Sequence, residues 1–172
     1  MDEVAIRPAH PVDVAALSEL IQRTVRLSNA RDYGVEVAEL IAANYAPDKI
    51  AQRLSERDVF VCSSGGRIIG TIGLERTEVA GSTGILGNGR LRSLFVEPGL
   101  QHAGIGARLV AHLEAHACAA GVLELELSSS LTARGFYERL GYRLIRFEDR
   151  PDGATYLMSK TLAPREHAQP GN

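Results

Sequence analysis

Several classes of protein are excluded by what this sequence lacks. No apolar run approaches the ~18–20 residues that cross a bilayer, so no membrane span or membrane partner is expected. Met1-Asp2-Glu3 is acidic and no apolar core follows it, so the start does not read as a signal peptide. The formal net charge is only −2, which gives non-specific binding to nucleic acid or to an anionic membrane no support. Two cysteines occur, Cys62 and Cys118, far apart and outside any C-x-x-C pair, and the five histidines complete no zinc-site spacing. Both cysteines read as small buried apolar residues. No metal is expected, and a reducing cytoplasm is the compartment this usage favours. No internal repeat or low-complexity block is visible.

What is present is the composition of an ordinary globular domain, with 45% apolar and 23% charged residues in 172. That length suits one domain with a sizeable core. One domain over residues 1–162 is expected, followed by a polar tail, 163–172, that contains two prolines and reads as disordered.

Periodicity places the elements. Val4-Ala5-Ile6-Arg7 reads as a short strand. Val12–Arg26 follows as an amphipathic helix with Val14, Leu17, Leu20 and Ile21 on one face. Val35–Tyr45 repeats the pattern with Val37, Leu40 and Ile41, and Pro47 stops it. Ile50, Arg53 and Leu54 suggest a further short helix. Asp58–Ser63 and Arg67–Thr77 read as strands joined by a turn at Ser64-Gly65-Gly66. Val79–Gly89, rich in Gly and Ser, reads as a loop or distorted hairpin, and Arg90–Val96 as a third strand. From Gly104 the period becomes helical through Ile105, Leu109, Leu113 and Ala117, with Gly121 as a C-terminal cap. Leu123–Ser128 alternates like a strand, Thr132–Leu140 is a short helix capped by Gly141, and Tyr142–Phe147 and Thr155–Leu162 pair around Pro151-Asp152-Gly153. This order predicts an α/β fold, a mixed α+β sheet with helices on its faces.

The segment from Leu94 to Gly106 is a strand, a short loop and a helix start. Glycines there let the backbone approach a ligand closely. The first helical turn offers unpaired N–H groups and about half a unit of positive partial charge, which suits a phosphate. The glycines alone fit a tight turn packing a helix on a sheet equally well. A dinucleotide fingerprint fails because Leu109 stands where its third glycine would be and the loop after Val96 is too long; a P-loop fails because no Gly-Lys-Ser/Thr follows.

Gln101-His102-Ala103-Gly104-Ile105-Gly106 resembles the Q/R-x-x-G-x-G/A motif of the GNAT superfamily of N-acetyltransferases, and Leu94-Phe95-Val96-Glu97-Pro98 resembles the strand before it. Ala133-Arg134-Gly135-Phe136-Tyr137-Glu138-Arg139-Leu140-Gly141-Tyr142 resembles the family's second motif, in order and at the family's separation. The resemblance covers nearly the whole chain to about Leu162. It implies a central splayed mixed sheet, acetyl-CoA as cosubstrate, and transfer of the acetyl group to a primary amine of a small molecule or peptide.

The resemblance also implies the site. Main-chain N–H groups over Gln101, His102, Ala103, Gly104, Ile105, Gly106 and Ala107 would hold the pyrophosphate. The backbone of Leu94 and Val96 would pair with the pantetheine arm, and an N–H near Phe95 or Val96 would face the developing oxyanion. Leu123–Ser128 would be the other wall. Phe136 and Ser130 would complete the coenzyme site. Two positions depart from the family pattern: His102 stands where glycine is frequent, and Ser130 stands where asparagine is frequent and retains one hydrogen-bonding hydroxyl. Tyr137 matches the tyrosine near the coenzyme sulfur and would protonate the leaving thiolate. By periodicity alone it would only pack its helix on the sheet, alongside Ala133, Phe136 and Leu140.

An alkylammonium of pKa about 10.4 is only ~0.1% neutral near pH 7.4, so attack needs a base or a water chain. Some relatives use a glutamate on the strand before the loop, but Arg90-Leu91-Arg92-Ser93-Leu94 has none. Glu75 is the candidate base, with Glu97 beside it; each reads equally as a surface charge, and water-mediated deprotonation stays open. Arg92 either steers an acidic substrate group or forms a surface salt bridge. The acceptor side is expected from the N-terminal helices and the 79–89 loop, which carry Tyr33, Asn44, Tyr45 and Asn88 and no acidic cluster suited to a polyamine. A non-catalytic acyl-CoA sensor is the alternative reading. Dimers are frequent in the family, so a homodimer is the expected assembly.

Overall fold

The computed structural model describes residues 4–77, 87–150 and 153–162. The tail expected over 163–172, most of the loop expected over 79–89, and Pro151-Asp152 lie outside the described residues.

The chain runs β1 (Ala5–Pro8), α1 (Val14–Thr24), α2 (Ala30–Tyr33), α3 (Val35–Ala43), α4 (Pro47–Glu56), β2 (Asp58–Ser64), β3 (Arg67–Thr77), β4 (Asn88–Val96), α5 (Ile105–Ala119), β5 (Glu124–Ser129), α6 (Arg134–Arg139), β6 (Arg143–Glu148) and β7 (Thr155–Thr161). The strands form one mixed sheet in the order β1-β2-β3-β4-β5-β7-β6. Every neighbour is antiparallel except β4 and β5, whose parallel pairing requires the crossover that α5 supplies.

Each face of the sheet carries its own core, because side chains alternate along a strand. Phe60 and Cys62 of β2 pack with Leu109, Val110 and Leu113 of α5, while Val61 packs with Leu17, Leu20 and Ile21 of α1. No helix among the described residues is long and apolar enough to cross a membrane.

The helix expected over Val12–Arg26 is broken into pieces. Pro11 opens a 3₁₀ turn, Pro11–Asp13, in which the Asp13 carboxylate accepts from the His10 N–H at 2.8 Å and from both Arg7 amino groups at 2.7 and 2.9 Å. After Thr24 the chain widens into a π-type turn, Val25–Asn29, a feature often found at functional sites. Pro47 opens α4 rather than merely ending α3, as its fixed φ and missing N–H allow in a first turn. Asn88 and Gly89, expected in a loop, are the first residues of β4. The cysteine reading is half corrected: Cys62 is fully buried, but Cys118 on α5 is only partly so.

Candidate active site

A cleft of about 1040 Å³ opens where the sheet splits. β4 and β5 pair through Asn88–Glu124, Gly89–Leu125 and Arg90–Glu126, so β4 beyond Arg90 has no strand partner on that side among the described residues. A bulge accompanies the split. Thr71 faces Phe95 and Gly73 faces Arg92, so β4 spends one residue more than β3 there, and Ser93 takes a left-handed φ of 53°. The Glu97 N–H donates to the Ile69 carbonyl at 2.9 Å. Alternation along the strand then turns the N–H groups of Val96 and Leu94 toward the gap and that of Phe95 toward β3. Of Phe95 and Val96, only Val96 turns its N–H to the gap. Its carbonyl already accepts from the Gln101 amide at 3.3 Å, and that amide also donates to Ser28 Oγ at 3.2 Å.

The loop expected to cradle a pyrophosphate joins β4 to α5 through a short 3₁₀ turn, Pro98–Leu100. His102 sits at φ 70° and Gly104 at φ 79°, so His102 adopts the glycine-like backbone without being glycine. The first helical bond is Arg108 N–H to the Gly104 carbonyl at 3.1 Å, and no side chain caps the helix. The N–H groups of the first turn of α5 are therefore left for a ligand. Ala103 departs from expectation because its N–H is committed to the Leu100 carbonyl at 3.3 Å. Ile105 contributes only main chain, since its side chain is buried in the core. Gly106 lets three elements meet: a Cβ there would lie 3.3 Å from Phe136 Cζ and 3.8 Å from Val96 Cγ2.

Across the gap, β5 ends and α6 begins. Leu94, Phe95, Val96, Gln101, His102, Gly104, Gly106, Ala107, Ser130, Phe136 and Tyr137 all line the cleft. Tyr137 is 7% exposed, and its ring packs edge-on against Phe136 and Tyr142. Its hydroxyl has no hydrogen bond to any described residue. Burial pushes the phenol well above its ordinary range, so it stays protonated. Ser130 uses its carbonyl, which accepts from Ala133 N–H and Ser129 Oγ, and its own hydroxyl makes no hydrogen bond to any described residue.

The carboxylates are less available. Glu75 does not line the cleft. Partial burial raises its pKa, but the Arg92 hydrogen bond at 2.7 Å and the charges of Arg92, Arg57 and Arg90 outweigh this and hold it below the usual range. Such a group is a poor base. Glu97 is paired with Arg23 at 2.6 Å and Arg67 at 3.2 Å. Arg92 both lines the cleft and forms the salt bridge to Glu75.

On the acceptor side Tyr33 and Tyr45 line the cleft, whereas Asn44 and Asn88 do not. Ser28, Asn29, Arg53, Arg57, Arg139 and Arg150 line it as well and had no local signal, being single polar residues in helices or turns. No group of three or more His, Cys, Asp or Glu that could hold a metal occurs among the described residues.

Comparison with known proteins bears on this geometry. The family model described as an acetyltransferase (GNAT) domain matches residues 29–162. Blasticidin-S acetyltransferase of Streptomyces morookaense is 37% identical over 100 residues, which span 51% of this chain and 70% of that protein. Among solved structures, a GCN5-related N-acetyltransferase from Rhodopseudomonas palustris superposes with a TM-score of 0.78 at 25% identity, over 94% of this chain and 98% of that one. The PaiA N-acetyltransferase from Thermoplasma acidophilum, in complex with coenzyme A, gives 0.77 at 22% identity, over 92% and 99%.

Proposed function

The chain belongs to the GNAT acetyltransferase family and is an acetyl-CoA-dependent N-acetyltransferase, and from that premise we propose that it acetylates a primary amine of a small molecule or peptide by direct attack, with Tyr137 as the general acid. The observation that carries this reading is the split between β4 and β5, which opens onto the uncapped start of α5 and is lined by Tyr137.

Acetyl-CoA supplies the acetyl group as a thioester: the amine nitrogen bonds to the carbonyl carbon, the C–S bond breaks, the amine loses a proton and the thiolate gains one. The chain's residues divide this work. The N–H groups at the start of α5, with the His102–Gly104 turn, hold the phosphates. The N–H of Val96, facing the gap, stabilises negative charge on the carbonyl oxygen. The Tyr137 phenol, kept protonated by burial, donates to the departing sulfur. The Ser130 hydroxyl and the Phe136 ring contact the coenzyme arm. Glu75 and Glu97 are tied to arginines, so proton removal from the amine is assigned to water.

The scarcity of cysteine, with no C-x-x-C pair in the sequence, supports a reducing cytoplasm as the compartment. The exposed Leu144, Ile145 and Phe147 of the edge strand β6 offer a surface for a two-fold homodimer, which light scattering would detect. A sensor that binds acyl-CoA without turnover is the second reading, favoured by the absence of a free carboxylate at either expected position.

Thermal shift with acetyl-CoA, CoA, NAD and ATP tests binding, because a ligand of the folded state raises the melting temperature by mass action. Stabilisation by acetyl-CoA but not by NAD or ATP is expected, and equal stabilisation by NAD or ATP would overturn the reading. Thiol release across an amine panel then separates enzyme from sensor.

A further inference from the structure

Beyond the β4 bulge, the cleft ends in Tyr45, Arg53, Arg57, Arg92 and Ser93, and the same five residues border a small recess of about 20 Å³ floored by apolar side chains of α1 and α4. Arg53 is in the last turn of α4, and Arg57 is the extended residue that caps its end; both border the recess and the cleft. Arg92 comes from β4. These positions converge only in the folded chain.

The charges there do not balance. Glu75 serves two of the three guanidinium groups, Arg92 at 2.7 Å and Arg57 at 3.8 Å. Arg53 has no carboxylate partner among the described residues. It lies over the Tyr45 ring, 4.6 Å from the centroid, and donates one hydrogen bond to the Asn44 carbonyl. Most of its five N–H donors are unused. Tyr45 is itself fixed by an edge contact with Phe95, centroids 5.3 Å apart, and by a 3.3 Å hydroxyl contact with Ser93. The Tyr45 ring thus bridges the arginines to the strand where the thioester would lie.

This cluster is not placed to hold the coenzyme's phosphates. Arg92 precedes Val96 by four residues, on the far side of the bulge at Ser93, and the phosphate loop lies beyond Val96. A cationic end on the acceptor side repels polycations and attracts an anion. A guanidinium fork matches a carboxylate in particular, through two parallel hydrogen bonds.

We infer that the acceptor is an amine that also carries a carboxylate, an amino-acid-type substrate, whose carboxylate docks on Arg53 and Arg57 beside Tyr45 while its amine faces the β4 split. The recess, at about 20 Å³, has room for one methyl-sized group, so a small aliphatic side chain fits best. This inference rests on the acetyltransferase reading above.

The test uses the full chain at saturating acetyl-CoA, with thiol release measured for the twenty amino acids, their α-amides and the corresponding decarboxylated amines. At least one free amino acid should show a kcat/KM tenfold or more above its amide and its decarboxylated amine. Arg53→Gln should raise KM for that substrate at least tenfold, Arg53→Lys should recover part of the loss, and Arg57→Gln should act in the same direction. Thermal shift by acetyl-CoA should be retained in each variant, which also shows that the variant is folded. Equal turnover of acid and amide, turnover of polycationic amines alone, or no turnover of any amino acid by protein that acetyl-CoA stabilises would overturn the carboxylate inference and leave the family activity intact. Loss of stabilisation by acetyl-CoA in the unmodified protein would overturn the underlying reading as well.

Discussion

Tyr137→Phe separates a catalytic from a packing role because the two predict opposite patterns. The substitution keeps the ring that packs against Phe136 and Tyr142 and removes only the hydroxyl. That hydroxyl has no partner among the described residues, in a side chain 7% exposed. The atom is not among the fully enclosed polar atoms that lack a partner, so it reaches the water of the cleft, and its removal should change stability by no more than about 0.5 kcal/mol. For a chain of this size, that keeps the melting temperature within roughly 2 °C. If the phenol also protonates the leaving thiolate, the rate constant for acetyl transfer falls at least tenfold, about 1.4 kcal/mol of transition-state stabilisation. Acetyl-CoA affinity should not change. The assays are a thermal melt, calorimetric titration with acetyl-CoA, and single-turnover thiol release. A variant of unchanged stability that binds as before and transfers at an unaltered rate would refute the general-acid assignment and leave Tyr137 a packing residue.

Three further predictions follow from the same geometry. With an alkylamine acceptor, kcat/KM should rise about tenfold per pH unit below the amine's pKa of about 10.4. Burial holds the Tyr137 phenol above its ordinary value, so no falling limb should appear below about pH 10; a falling limb between about pH 7 and 9 would mean that another group is the acid. Gly104→Ala meets no atom within 4 Å but must hold φ 79°, which costs about 1–2 kcal/mol for an L-residue. The melting temperature should fall by roughly 2–8 °C, and acetyl-CoA should bind more weakly as the loop relaxes away from that backbone; unchanged affinity would detach this turn from the coenzyme. Gly153→Ala would place its Cβ 2.8 Å from Tyr33 Cδ1 at φ 120°. It should break the 3.1 Å bond from the Tyr33 hydroxyl to the Ala154 carbonyl and destabilise by about 1–3 kcal/mol. Adding Tyr33→Ala should recover part of that cost in a double-mutant cycle.

Much of the scaffold was legible because local rules carry it. β3 occupies Arg67–Thr77 as alternation and the flanking turn suggested, and α5 begins after Gly104 and turns at Gly121. The coenzyme loop was legible for a related reason. A phosphate cradle is made of backbone N–H groups, and a motif of a few consecutive residues sets the dihedrals that aim them. Even so, the motif could not say that Ala103 spends its N–H on Leu100 or that His102 accepts a φ of 70°. Both depend on how the loop closes against its neighbours.

The acceptor end was not legible, since its partners are distant in the chain. Glu75 looked like a base until Arg57 and Arg92 were brought beside it. Glu97 meets Arg23 from the other end of the domain. The surplus positive charge around Arg53 exists only where the end of α4 and the bulge of β4 border one recess. The order of the elements, the family resemblance and the local backbone that greets a pyrophosphate could be read from the chain alone, because these are set by near neighbours. Where β4 and β5 part, which carboxylates are neutralised and which guanidinium is left facing the cleft emerge only on folding, because those outcomes depend on charges and strands converging from separate parts of the chain.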